Sequence, residues 1–157
     1  MLRRIASEAA AHIGAATGSR LSGGTEDWRT AACNASPVLE TVVIVDDNGA
    51  FRARARVLLT CDGYEVIGEA SGGRSGLDTV CRLRPDVALL DIQLPDMDGF
   101  AVATGLKLAG AQSAVVLVSA RDVSDYGRAL AGCGARGFIA KAELCGDRLR
   151  ALLEVSV

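Results

Sequence analysis

Val87-Ala88-Leu89-Leu90 is an uninterrupted apolar run that stops at an acid, Asp91, and passes into the loop Ile92-Gln93-Leu94-Pro95-Asp96-Met97-Asp98-Gly99. A run without polar alternation suits a strand buried on both faces, and such strands belong to parallel sheets covered by helices. Asp91 then stands at the carboxyl end of its strand. In open α/β sheets the crevice beyond those ends is where ligands bind, so the position favours chemistry. Taken alone, an Asp there is more often a turn residue or a helix cap.

The same pattern recurs along the chain. Val42-Val43-Ile44-Val45 ends at Asp46-Asp47, and Ala114-Val115-Val116-Leu117-Val118 ends at Ser119. Gly137-Phe138-Ile139-Ala140 ends at Lys141, while Tyr64-Glu65-Val66-Ile67 alternates as a more exposed strand. Between these runs, apolar residues return at helical spacing. Phe51, Ala55, Leu58 and Leu59 mark a first helix closed by Gly63, and Leu77, Val80 and Cys81 mark a second stopped by Pro85. A third spans about Phe100 to Leu108. A short fourth has Tyr126, Leu130 and Cys133 on one side, and a last helix buries Cys145, Leu149, Leu152 and Leu153.

Five strands alternating with five helices predict a doubly wound α/β domain, with parallel strands joined by right-handed crossovers. All carboxyl ends then share one edge. Asp46, Asp47, Asp91, Ser119 and Lys141 converge on one crevice, which displaces the capping explanation for Asp91. Three clustered carboxylates repel one another unless a cation sits among them. Oxygen ligands with room for water suit Mg²⁺, held by Asp46 and Asp47, with Asp91 as ligand and nucleophile. Phosphoryl transfer to a carboxylate needs positive groups and donors placed in advance, and Lys141 and Ser119 are of that kind. Lys141 is one of two lysines in an Arg-rich chain, the other being Lys107. A structural ion pair with an acid is its simpler reading, and the two readings coexist.

Composition narrows the alternatives. At 157 residues and 50% hydrophobic, the chain suits one domain with a real core. A net charge of -2 with scattered arginines marks neither a nucleic-acid footprint nor a polybasic membrane patch. Cys33, Cys61, Cys81, Cys133 and Cys145 lack the spacing of zinc ligands and read as small buried apolar residues in a reducing, cytoplasmic compartment. No apolar run approaches the ~20 residues of a membrane span. Residues 1–37 are rich in Ala, Gly, Ser and Thr and predict a flexible tail, with a marginal helix over Leu2 to Ala16 and with His12 and Trp28 as exposed singletons. The regular domain spans 38–157. Whether the tail is an upstream extension of the reading frame stays open.

With these motifs in hand, the chain from Val42 to about Leu153 resembles the receiver domains of bacterial response regulators. The matching stretches are Val42 to Asp47, Asp91 to Gly99 with Pro95 and Asp98-Gly99, Val118-Ser119-Ala120, and Gly134 to Lys141. The resemblance implies a flavodoxin-like five-stranded sheet of order 2-1-3-4-5. It implies that Asp91 accepts a phosphoryl group from a sensor histidine kinase or phosphotransfer protein, with Mg²⁺ bound by Asp46, Asp47, Asp91 and the backbone carbonyl of Gln93. Ser119 and Lys141 would bind the phosphoryl oxygens, and Phe138 would turn inward as Ser119 moves. Gln93 and Arg121 occupy positions that tune the lifetime of the phosphoryl group. Such a domain is not an enzyme acting on a separate substrate, since it catalyses only its own phosphorylation and dephosphorylation. The output would be a protein-binding surface on the fourth helix, fifth strand and last helix, with a homodimer left open and no nucleic acid or membrane as partner.

Departures from the family pattern also carry expectations. Ala142 follows Lys141 where Pro is common, so a trans bond is expected. Lys141-Ala142-Glu143-Leu144 is closer to receivers of helix-turn-helix regulators, which makes a fragment of a DNA-binding regulator one alternative. A phosphorylation-independent interaction module is another. A phosphatase of the haloacid dehalogenase kind would need an acid where Gln93 stands, and a flavodoxin would need a phosphate-cradling loop after the first strand. Leu94-Pro95 and Asp98-Gly99 read as a rigid loop keeping Asp91 exposed.

Overall fold

Alternating buried-strand and amphipathic patterns produce the expected order of elements in the computed structural model, which describes residues 40–155. The elements are β1 (Thr41–Val45), α1 (Gly49–Cys61), β2 (Glu65–Ala70), α2 (Gly73–Leu83), β3 (Val87–Asp91), α3 (Gly99–Leu108), β4 (Ala114–Ser119), α4 (Gly127–Gly132), β5 (Gly137–Ala140) and α5 (Gly146–Glu154). Short 3-10 turns cover Val123–Asp125 and Lys141–Glu143. All strand pairs are parallel, in the order β2-β1-β3-β4-β5. The tail expected over residues 1–37, with His12, Trp28 and Cys33, lies outside the described residues.

Strand periodicity divides the core in two. Val42 and Ile44 of β1, Leu89 of β3 and Val116 and Val118 of β4 face Ala55 and Leu59 of α1 and Leu149 of α5. Val43, Val45, Ala88, Leu90 and Leu117 face the other way, toward Val80 of α2, Val102 and Leu106 of α3 and Cys133. With both faces covered, β3 is buried at every residue, Asp91 included. Consecutive side chains of a strand point to opposite faces, so an unbroken apolar run is what a sheet covered on both sides requires.

The chain leaves β1 for β2 on one side and later returns to place β3 on the other, so the sheet order reverses between β1 and β3. Crossovers at such a reversal leave a crevice at the carboxyl ends. Val45 pairs with Leu90, which brings Asp46 and Asp91 to neighbouring strand ends. Asp91 in turn pairs with Val118, one residue before Ser119, and Ser119 pairs with Ala140, one residue before Lys141.

Several local features differ from the sequence reading. β2 runs three residues beyond Ile67, pairing with β1 on either side of a register shift that leaves Ile67 unpaired. The buried face of α2 is built from Gly73, Gly76, Thr79 and Val80, while Cys81 is exposed. Gly76 lets the helix approach β1 so closely that a side chain there would run into Val45. The cysteines are not uniformly buried. Cys133 is, Cys61 and Cys81 are exposed, and Cys145 is half-buried at the N-cap of α5 rather than within it. Gly63 closes α1 with φ 91°, a left-handed conformation open to glycine. The described residues contain no cis peptide bond, so Lys141-Ala142 is trans as expected. No described helix is long and apolar enough to cross a membrane.

Candidate functional site

Each functional side chain is the residue at which a strand stops. Asp46 follows β1 and is wholly buried, its backbone N–H donating to the Ala70 carbonyl at 3.0 Å. Asp46 Oδ1 accepts the Asn48 N–H at 2.9 Å, and Asn48 caps α1 through bonds from Ala50 and Phe51. Arg52, one turn into α1, donates to the Asp46 carbonyl at 2.7 Å and to Glu69 at 3.1 Å, tying the β1–α1 turn to β2. Asp47 is exposed, with its carboxylate at the mouth of the same crevice. One strand end therefore supplies a buried acid and an exposed one to the same crevice.

Asp91, expected to be exposed, is buried, with 3% of its surface accessible. The loop after it folds back tightly, with the Gly99 N–H donating to the Ile92 carbonyl at 2.9 Å. A Cβ on Gly99 would collide with the Asp91 carbonyl, so only glycine permits this approach. Asp98 caps α3 through Ala101 N–H at 2.7 Å, and Asp96 reaches across to accept N–H bonds from Gly73 and Arg74 at the start of α2. The loop is thus pinned to two helix ends. It frames Asp91 rather than exposing it.

Lys141 sits between the two buried acids. Its Nζ lies 2.6 Å from Asp46 Oδ2 and 3.1 Å from Asp91 Oδ2, and 4.7 Å from the centre of the Phe51 ring. Asp46 Oδ2 is buried, and although the ammonium is close it takes no hydrogen bond of satisfactory angle. Burial disfavours the charged form of Lys141, but the adjacent carboxylates of Asp46 and Asp91 outweigh it and hold the ammonium above its ordinary pKa. Burial, then the charge of Asp46, raise the Asp91 carboxyl above the usual range despite opposition from Lys141 and the Gln93 N–H. That N–H reaches Asp91 Oδ1 at 3.3 Å.

The metal expected here finds suitable ligands. Carboxylate oxygens of Asp46, Asp47 and Asp91 all lie within 4.8 Å of one another, and Asp46 Oδ2 lacks a regular hydrogen bond. An all-oxygen donor set of this kind fits a hard divalent ion.

Ser119 is fully buried, and its Oγ accepts the Arg121 N–H at 3.1 Å and bonds Tyr126 Oη at 2.9 Å. Tyr126 packs between Phe100 and Phe138, at ring-centre distances of 5.8 and 6.0 Å. Phe138 is half-buried on β5. The structure therefore brings together Asp46, Asp47, Asp91, Ser119 and Lys141, and sets Gln93 and Arg121 on the exposed rim with their N–H groups turned to Asp91 and Ser119. Sequence reasoning took Tyr126 and Phe51 only as apolar helix positions and did not single out Asn48 and Arg52. Asn48 alone had a readable signal, as a capping residue just ahead of a helical repeat.

A family model for the response regulator receiver domain matches residues 42–154. A transcriptional regulator of Pseudomonas aeruginosa is 33% identical over 113 residues, covering 72% of this chain and 55% of its own length. The DNA-binding transcriptional activator EvgA of Escherichia coli is 32% identical over 101 residues, 64% of this chain and 50% of the activator. The chain thus spans about half the length of these curated relatives. Among solved structures, the signal receiver domain of NarL from Mycobacterium tuberculosis superposes with a TM-score of 0.67 at 32% identity, over 75% of this chain and 99% of that one.

Proposed function

Given that the chain belongs to the response regulator receiver domain family of two-component signalling, we propose that it is a phosphorylation-dependent switch in which Asp91 accepts a phosphoryl group from a histidine kinase or phosphotransfer protein. The observation that carries this reading is the bridging of two buried carboxylates by Lys141 beside a third carboxylate, Asp47. An Asp91 oxygen forms the new bond to phosphorus as the P–N bond of the donor's phosphohistidine breaks, its electron pair passing to the leaving imidazole. Asp46, Asp47, Asp91 and the Gln93 backbone carbonyl would hold Mg²⁺, which when bound supplies positive charge to the phosphoryl oxygens. Lys141 keeps its charge throughout and trades a carboxylate partner for a phosphoryl oxygen. The Ser119 hydroxyl donates to another.

The chemistry is confined to the chain's own Asp91, and no separate substrate is turned over. An added group of up to two negative charges biases a surface on α4, β5 and α5 toward a protein partner in the cytoplasm. The curated relatives are transcription regulators, which favours gene expression as the eventual output.

Incubation with radiolabelled acetyl phosphate and Mg²⁺ tests the assignment. Label on wild type and none on Asp91→Asn is the expected result. Equal labelling of both proteins, or no labelling of either by acetyl phosphate or by a panel of phosphorylated histidine kinases, overturns it.

A further inference from the structure

Ser119 Oγ is buried and makes two hydrogen bonds among the described residues. The Arg121 backbone N–H can only donate, so that bond uses a lone pair of the hydroxyl. The remaining bond, to Tyr126 Oη at 2.9 Å, is then the one able to take the Ser119 proton. If Tyr126 were the donor, a fully buried O–H would be left without an acceptor, at a penalty comparable to a lost hydrogen bond. Tyr126 is half-buried whereas Ser119 is wholly buried, so of the two hydroxyls that of Ser119 depends more on a protein acceptor. Phe138, the aromatic residue of β5, has no hydroxyl and cannot fill this role. Tyr126 does so from the segment between β4 and α4, with its ring seated against Phe100 and Phe138.

We propose that Tyr126 is a positioning residue that holds the Ser119 hydroxyl until a phosphoryl group arrives at Asp91, so that phosphoryl binding exchanges the Ser119–Tyr126 hydrogen bond for one from Ser119 to a phosphoryl oxygen. The inference rests on the phosphoacceptor reading of Asp91 and adds to it a competing acceptor. Removing the tyrosine hydroxyl leaves Ser119 with an unpaired proton before phosphoryl binding and none after, which favours the bound form. The ring stays in place because its aromatic contacts do not involve the hydroxyl.

The test is a titration with beryllofluoride in excess Mg²⁺, followed by the amide spectrum from Ser119 to Lys141, in wild type, Tyr126→Phe, Ser119→Ala and the double variant. Tyr126→Phe is expected to lower the half-saturating concentration about two- to tenfold, the range of one net hydrogen bond. The gain should vanish in the Ser119→Ala background, where there is no hydroxyl to hold. In protein labelled with ¹³C at the tyrosine Cζ, the Tyr126 signal of ligand-free Ser119→Ala should lie where beryllofluoride moves that of wild type. Unchanged or weaker binding by Tyr126→Phe, an equal gain in both backgrounds, or a Tyr126 signal insensitive to Ser119→Ala overturns the proposal. Failure of wild type to bind beryllofluoride at all instead overturns the phosphoacceptor reading, and this inference with it.

Discussion

Lys141 Nζ lies 2.6 Å from Asp46 Oδ2, joining the end of β5 to the end of β1 across two intervening strands. Removing one partner of a buried pair leaves the other's charge uncompensated, at about 3–5 kcal/mol, and the 18% exposure of the Lys141 side chain places it toward the lower figure. Lys141→Met is therefore expected to lose about 3 kcal/mol of unfolding free energy at neutral pH in urea titrations without divalent ions. Mg²⁺ should return part of the loss, since it neutralises the same acids. A variant as stable as wild type would show that the pair contributes nothing.

Asp91 leads to a prediction of opposite sign. Burial and the nearby Asp46 charge raise its carboxyl above the ordinary value, so the native state binds this proton more readily than the unfolded chain does. The ionised side chain opposes folding at neutral pH, and the penalty is relieved as pH falls through the folded value toward the unfolded one, ~4. Without divalent ions, Asp91→Asn should melt above wild type at pH 7, with the gap closing in acid. A lower melting temperature for Asp91→Asn at pH 7 would contradict this.

Asp96 runs the other way. N–H groups of Arg74 and Gly73 stabilise its carboxylate and hold its pKa below the usual range. Its contribution is present above the unfolded pKa and is lost as pH falls through the lower folded one. Asp96→Asn should melt below wild type at pH 7 and match it in strong acid, where both side chains are neutral. Thermal melts across that range read the difference directly.

Gly99→Ala places a methyl group against the Asp91 carbonyl. Overpacking of this kind costs about 1–3 kcal/mol and displaces the strand end, so both stability and the rate of labelling by acetyl phosphate should fall. Gly132→Ala is the control, since nothing lies within 4 Å of that position in α4, and alanine should leave stability unchanged or raise it by up to about 1 kcal/mol. Equal effects of the two substitutions would remove the special role of Gly99.

Much of the site was legible because strand ends are legible. A run such as Val42 to Val45 marks both the strand and the place where it stops, and in a parallel sheet that is enough to put Asp46, Asp91, Ser119 and Lys141 at one edge. Glycine as packing surface was not legible. Gly76 carries no hydropathy, so the stripe on α2 reads as Leu77, Val80 and Cys81, of which the structure buries Val80 and leaves Cys81 exposed. Nor was the capping of α2 by Asp96, which lies 23 residues from Gly73 in sequence.

By itself the sequence determined the order of elements, their parallel pairing and which chemical groups reach the crevice, since periodicity and punctuation are local properties. Tertiary structure alone decided the state of those groups: that Asp91 is buried, that Lys141 bridges it to Asp46, and that the Ser119 hydroxyl is taken by Tyr126. Burial, ion pairing and hydrogen-bond choice depend on what other elements bring within about 3 Å. No local pattern along the chain encodes that distance.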